Sequence, residues 1–262
     1  MLGLGRDKDG WRWAVCGKHP LGKDYFRLHF STPLHSAFAA WMDKGFSALP
    51  KYSEARRAIC FWRFWAKGIK KGQMVCGFLK ASSDGIGRPY PLLIVGTGAC
   101  NGWEKNWEFL PRLLETSWQQ IEYVASRRFD SLQELENAVR RIAPPGQDCT
   151  EELGRDEIVS DLSISADSDG SLVDAESIAY RLKEKQVLWI PLDEKASMEA
   201  SRRAVLWGIQ LKKHGVDAPQ AFFLGGTPGK AFLVVFARSV NAEDFVHLWS
   251  VGESGFSNGK VF

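Results

Sequence analysis

The stretch Ser82-Ser83-Asp84-Gly85-Ile86-Gly87-Arg88 gathers two hydroxyls, a carboxylate and a guanidinium in one short segment. Such a loop can hold an anion or a partner's carboxylate through the forked guanidinium. The same residues also suit a local task. Asp84 would close an Asx-type turn, Gly85 and Gly87 would supply unusual φ, and Arg88 would pair with a carboxylate such as Asp24. Gly17-Lys18-His19-Pro20 ends like a phosphate loop, but a phosphate loop needs a glycine-rich run first, then Ser or Thr and a helix. Here a strand runs straight into Gly17, so no nucleotide site is expected.

Nucleophilic chemistry would fall to Cys76 or Ser82 with one of the histidines His19, His29, His35, His214 or His247. No G-x-S-x-G elbow supports it. Histidine and cysteine spacings match no metal-ligand pattern, so no metal and no cofactor is expected. Cys16, Cys60 and Cys76 stand in apolar stretches, and with Cys100 and Cys149 they read as reduced core or bystander thiols. Trp62 and Trp65 lie beside Arg63 and the basic turn Lys67–Lys71, which could stack on bases. Alternating aromatics on a hairpin more simply pack a sheet face, so no nucleic-acid partner is expected.

The chain that carries these residues has 262 positions, 45% hydrophobic and 25% charged, an ordinary globular balance. No apolar run approaches the roughly 20 residues that span a bilayer, and the N-terminus lacks a signal-peptide core. A cytoplasmic protein that is not integral to a membrane is expected. The net charge of +3 is uneven: residues 1–147 carry 22 basic and 13 acidic groups, and residues 148–176 carry one basic and ten acidic.

Positioning elements follow from periodicity. Residues 11–16 read as a strand. Thr32-Pro33 caps an amphipathic helix over 33–48. Residues 58–66 and 73–80 form a hairpin, with Met74, Cys76 and Phe78 on one face and Val75 and Leu79 on the other. Residues 91–96 are a third buried strand. Helical spacing runs from 106 to 127, and Ser131 with Glu134 caps a helix to about 142. Residues 146–178 read as an acidic, mobile insertion or linker. A strand at 187–191, a helix at 196–213, strands at 220–225 and 231–237 and a capped helix at 241–249 complete the chain. The domain map is thus an N-terminal core over 1–145, the insertion, and an α/β part over 179–262 packing on that core.

Two of these stretches together resemble the TagF (ImpM) family of type VI secretion accessory proteins. That family opens with Gly-Lys-x-Pro-x-x-Gly-Asp-Phe, matched by Gly17, Lys18, Pro20 and Asp24, with Lys23 for the glycine and Tyr25 for the phenylalanine. Its Trp-Asp-x-Trp-Leu helix reads Phe38-Ala39-Ala40-Trp41-Met42. Its Pro-Ser-x-Asp-x-x-Gly-Arg-x-Phe-Pro-Leu pattern is met by Ser82, Asp84, Gly87, Arg88, Pro91 and Leu92, with Tyr90 for the phenylalanine. The resemblance implies an α/β (α+β) fold, an antiparallel-centred sheet with helices on both faces, similar to longin or profilin-like domains. It also implies a non-enzymatic, post-translational repressor acting in the cytosol through a forkhead-associated scaffold protein or the membrane complex. Lys18, Asp24, Ser82, Asp84 and Arg88 would then be binding or inter-loop residues, and Gly17, Pro20, Trp41, Gly87 and Pro91 structural ones. The competing reading is the small hydrolase using Cys76 or Ser82.

Overall fold

The structure is a computed structural model that describes residues 10–145, 175–192 and 197–252, without the side chains of 197–199. The expected acidic insertion lies outside the described residues up to 174. Residues 175–178, placed in that insertion by composition, instead open a helix.

Among the described residues, eight antiparallel strands form one sheet in the order β2-β1-β5-β4-β3-β7-β8-β6. They are β1 (Arg12–Gly17), β2 (Phe26–Leu28), β3 (Phe61–Lys67), β4 (Gln73–Lys80), β5 (Leu92–Ala99), β6 (Val187–Leu192), β7 (Ala221–Thr227) and β8 (Lys230–Phe236). The C-terminal strands continue the N-terminal sheet, because β7 pairs with β3 from Phe61↔Gly226 to Ala66↔Ala221.

Strand periodicity sorts the side chains onto two apolar layers. On one face Val15, Trp65, Cys76, Phe78 and Ile94 meet Trp103, Trp107, Trp118 and Ile121. Helices α2 (Leu110–Leu113), α3 (Glu115–Ser126), α4 (Leu132–Arg140), α5 (Ala175–Lys185) and α6 (Ser197–Lys213) belong to that side. On the other face Cys16, Trp62, Phe64, Val75 and Val95 meet α1 (Pro33–Ala48) and α7 (Ala242–Trp249). Trp62 and Trp65 are fully buried, as sheet-face packing requires. A large apolar side chain buried in this way contributes ~1.5–3 kcal/mol.

Helix ends follow their caps. Thr32 Oγ1 accepts from His35 N at 3.3 Å and starts α1. Asn241 and Asp244 form a reciprocal capping box on α7. Ser131 Oγ accepts from Glu134 N, but Glu134 returns its bond to Asp130 N, so the box on α4 is shifted by one residue. The helical run expected from 106 is broken. Short 3-10 turns cover 103–105 and 107–109, and Pro111 opens α2 before a second start at Glu115. Strand β2 and helix α5 had no periodic signal. The first is three residues long, and the second buries only Ala175, Ala179 and Leu182.

Cys16, Cys60 and Cys76 are buried free thiols. Cys100 departs from the expectation of reduced thiols, being disulfide-bonded. Two histidines are buried. His35 Nδ1 accepts from Ser31 N at 3.4 Å and Nε2 faces Arg12 O at 3.1 Å. Burial pulls the pKa values of both His35 and His19 below the ordinary 6.5. The unfolded chain therefore takes up protons below about pH 6.5 that the folded chain refuses, and stability falls with pH in that range. Thermal melts are expected to show Tm declining from about pH 7 to about pH 5. A flat profile would show that these imidazoles titrate normally.

Candidate functional site

Strand β1 delivers the loop 18–25 and strand β4 delivers the loop 81–91 to the same end of the sheet. The two loops are stitched together by main-chain bonds: Lys18 N donates to Pro91 O at 3.2 Å and Gly85 N donates to Gly22 O at 2.8 Å. Gly17 makes the close approach possible. Its φ is +118°, and a Cβ there would stand 2.0 Å from Pro91 O.

At the junction sits Asp84, its carboxylate wholly buried. Oδ2 accepts from Lys18 Nζ at 2.9 Å and from Arg88 Nε at 2.6 Å. Oδ1 accepts from the backbone N–H of Ile86 at 3.2 Å and of Arg88 at 2.9 Å. The first of these is the Asx turn. Burial opposes ionisation, but the bonds from Lys18, Arg88 and Ile86 outweigh it and hold the carboxyl far below the usual carboxylate range. Arg88 also donates to Lys23 O at 2.8 Å and stands 3.8 Å from the Asp24 carboxylate. Asp24 Oδ1 accepts from Tyr25 N at 2.8 Å.

These residues divide by exposure. The Lys18 side chain is 12% exposed and serves the junction, whereas Arg88 is 52% exposed and Asp24 73%. Ile86, at the tip, is 74% exposed. Ser82 closes the loop through its carbonyl, which accepts from Tyr90 N at 3.0 Å. Gly87 turns it with φ +82°. Pro20 and Pro91 lie on the facing chain segments. Trp41 is remote from the loops; its Nε1 donates to Asn241 O at 2.6 Å and joins α1 to the cap of α7.

The two tyrosines that stand for family phenylalanines meet in space. Tyr25 and Tyr90 pack edge to face with ring centroids 5.5 Å apart. Arg27 Nε donates to the Tyr25 hydroxyl at 2.9 Å, and the Tyr90 hydroxyl donates to Asp43 Oδ1 at 2.5 Å. Arg27 Nη2 closes the ring to Asp43 Oδ2 at 2.9 Å. The paired hydroxyls tie both loops to α1, a role two phenylalanines could not fill.

Residues 14–143 match the family model of the TagF N-terminal domain, described as type VI secretion system-associated. The chain belongs to the TagF family through this segment. The crystal structure of PA0076 from Pseudomonas aeruginosa PAO1 matches with a TM-score of 0.53 at 17% identity, over 92% of this chain and 95% of that one. At this identity the likeness shows a shared fold. No curated protein sequence matches the chain. Among the described residues of this TagF chain there is no His, Cys, Asp and Glu grouping able to hold a metal. No described helix is long and apolar enough to cross a membrane.

Among the described residues, neither Cys76 nor Ser82 is hydrogen-bonded to a histidine. Cys76 is fully buried, and burial pushes its thiol up, opposite to what an attacking thiolate needs. Ser82 shares a cleft wall with His19. His19 Nδ1 accepts from Leu21 N at 3.2 Å, which leaves the proton on Nε2 to bond Arg127 O at 3.3 Å. Both ring nitrogens are thus occupied, and neither is placed to take a proton from Ser82.

A network that the sequence did not reveal lies in the core. Arg63 on β3 donates to Glu122 at 2.6 and 2.8 Å, to Glu115 Oε2 at 2.9 Å and to Ser201 Oγ at 3.2 Å. Ser201 Oγ in turn donates to Glu115 Oε2 at 2.7 Å. Its only sequence signal is a charge at an inward-facing position of an otherwise apolar strand.

Proposed function

We propose that this TagF chain is a non-enzymatic accessory of type VI secretion that represses it after translation by binding a protein partner in the cytosol. The favoured partner is the forkhead-associated scaffold or a protein of the membrane complex. The observation that carries this reading is the construction of the paired loops. The buried Asp84 carboxylate fastens the two family-patterned segments into one fixed surface, and that surface leaves an aliphatic side chain, Ile86, and a guanidinium, Arg88, outside. Arginine is among the residue types enriched at the anchors of interfaces, and here an aliphatic side chain stands beside it. The occupied nitrogens of His19 and the buried thiol of Cys76 support binding over turnover.

Lys18 and Arg88 both hold the buried Asp84 carboxylate, so removing either would disturb the junction. Ile86→Glu is the informative variant. In a pull-down with the forkhead-associated scaffold, Ile86→Glu is expected to weaken capture by at least about tenfold while the melting curve stays near wild type. Cells carrying it are expected to secrete more than cells carrying the wild type. A wild-type chain that captures no secretion component, or that hydrolyses an ester or phosphate substrate at enzyme-like rates, would overturn the reading.

A further inference from the structure

Behind the paired loops lies a cleft of about 730 Å³, walled by 19–21, 56–59, 80–83, Pro89 and 125–130. Its charge is one-sided: Arg56, Arg57, Lys80, Arg127 and Arg128 line it, against a single carboxylate, Asp130. Elsewhere several buried or half-buried cations have acidic partners: Arg63 has Glu115 and Glu122, Lys212 has Glu108 and Arg238 has Asp244. Among the described residues, none of the five cleft cations has one. Arg56 donates to the carbonyls of Leu49 and Pro50, and Lys80 to that of Ala125. Lys80 is half-buried, and burial pulls its pKa below the ordinary lysine value. An anion placed in the cleft would relieve that burden and the mutual repulsion of the cations.

We propose that this cleft docks an acidic peptide segment of the protein partner, with carboxylates on the arginines and apolar side chains between them. The inference rests on the protein-binding reading above and names the chemistry of the bound segment. Two observations favour a peptide over a phosphoryl ligand. The cations come from three separate chain segments, 56–57, 80 and 127–128, and so suit an extended anion rather than a point charge. The cleft also has apolar ground for such a segment, with Leu21 and Phe129 in its wall and Ile59 69% exposed.

The test uses the whole chain and a fluorescein-labelled peptide of repeated Glu-Glu-Leu, read by anisotropy. Arg57 and Arg128 are exposed, so Arg57→Glu/Arg128→Glu leaves the core intact. The matched control is Lys70→Glu/Lys71→Glu, an equal charge change in the exposed hairpin turn outside this cleft. The cleft variant is expected to bind at least about tenfold more weakly, and the control within about twofold of wild type. A Gln-Gln-Leu peptide should not bind, and added salt should weaken the Glu peptide. Equal losses in both variants, or no binding by the wild type, would overturn the proposal. So would preference for tripolyphosphate or for anionic phosphatidylglycerol vesicles over the peptide. Scaffold capture without acidic-peptide binding would sink the cleft and leave the protein-binding reading standing. Peptide binding without capture of any secretion component would do the reverse.

Discussion

Arg63→Met is expected to destabilise the chain by about 3–5 kcal/mol, because it leaves a buried carboxylate without its cation. Glu115 is 6% exposed and Ser201 5%, so neither can turn to water when the guanidinium is gone. For a chain of this size the change corresponds to a fall in Tm of roughly 10 °C. Burial opposes the Arg63 charge, but Glu122 and Glu115 outweigh it and raise its pKa. The network holds β3 to α3, and through Ser201 to α6, so the loss should be global rather than local. Denaturant melts of Arg63→Met, of Glu115→Met and of Arg63→Met/Glu115→Met check this. The double variant, which strands only Glu122, whose side chain is 26% exposed, is expected to be more stable than Arg63→Met alone. If the two losses simply add, the network carries no coupling.

Gly17→Ala is expected to lose about 2–4 kcal/mol and to part the two loops. The residue combines φ +118° with a Cβ position 2.0 Å from the backbone of Pro91, which no side-chain rotation can relieve. It lies at the last β1–β5 pair, Gly17↔Leu92, immediately before Lys18 reaches Asp84. Displacement there should weaken scaffold capture along with stability. Gly87→Ala is the internal comparison. Its φ is +82° but a Cβ would meet nothing within 4 Å, so only the backbone strain of ~1–2 kcal/mol applies. Equal melting points for the two variants would mean that the loop–loop approach is looser than the distances say.

The sheet and its helices were largely legible because their signals are local. The alternation in β4 placed Met74, Cys76 and Phe78 together and Val75 and Leu79 opposite, as the two apolar layers show. The caps of α1 and α7 were read directly from Thr32-Pro33 and Asn241. The eight-strand order was not legible, since the β3–β7 pair joins residues far apart in the chain and leaves no periodic trace. The helix Ala175–Lys185 was hidden in an acidic composition, because a face of two alanines and one leucine barely differs from a linker. At the loops, the family-like residues pointed to the right segments and to the Asx turn of Asp84. Exposure alone separates Arg88 from Lys18, however, and that depends on what the facing loop covers. In sequence Arg63 stands between Trp62 and Trp65, which suggests a companion of base-stacking rings. Its true partners come from helices about fifty and more than a hundred residues away in sequence, beyond the reach of any window.

The β3–β7 pairing also bears on how this chain can be divided. The segment matched by the family model stops at 143, yet β3 is a central strand only because β7 lies along it from residue 61 to residue 66. A fragment cut at that boundary would turn an interior strand into a raw edge, with its row of N–H and C=O groups open to any neighbour. The apolar side chains of Trp62, Phe64 and Trp65 would lose Phe222 and Phe223, which stack on Phe64 and Trp65 and meet Trp62 edge to face. The unit recognised by sequence is therefore smaller than the unit that can close its own sheet. Inheritance and transplantation of this domain must carry the C-terminal strands along.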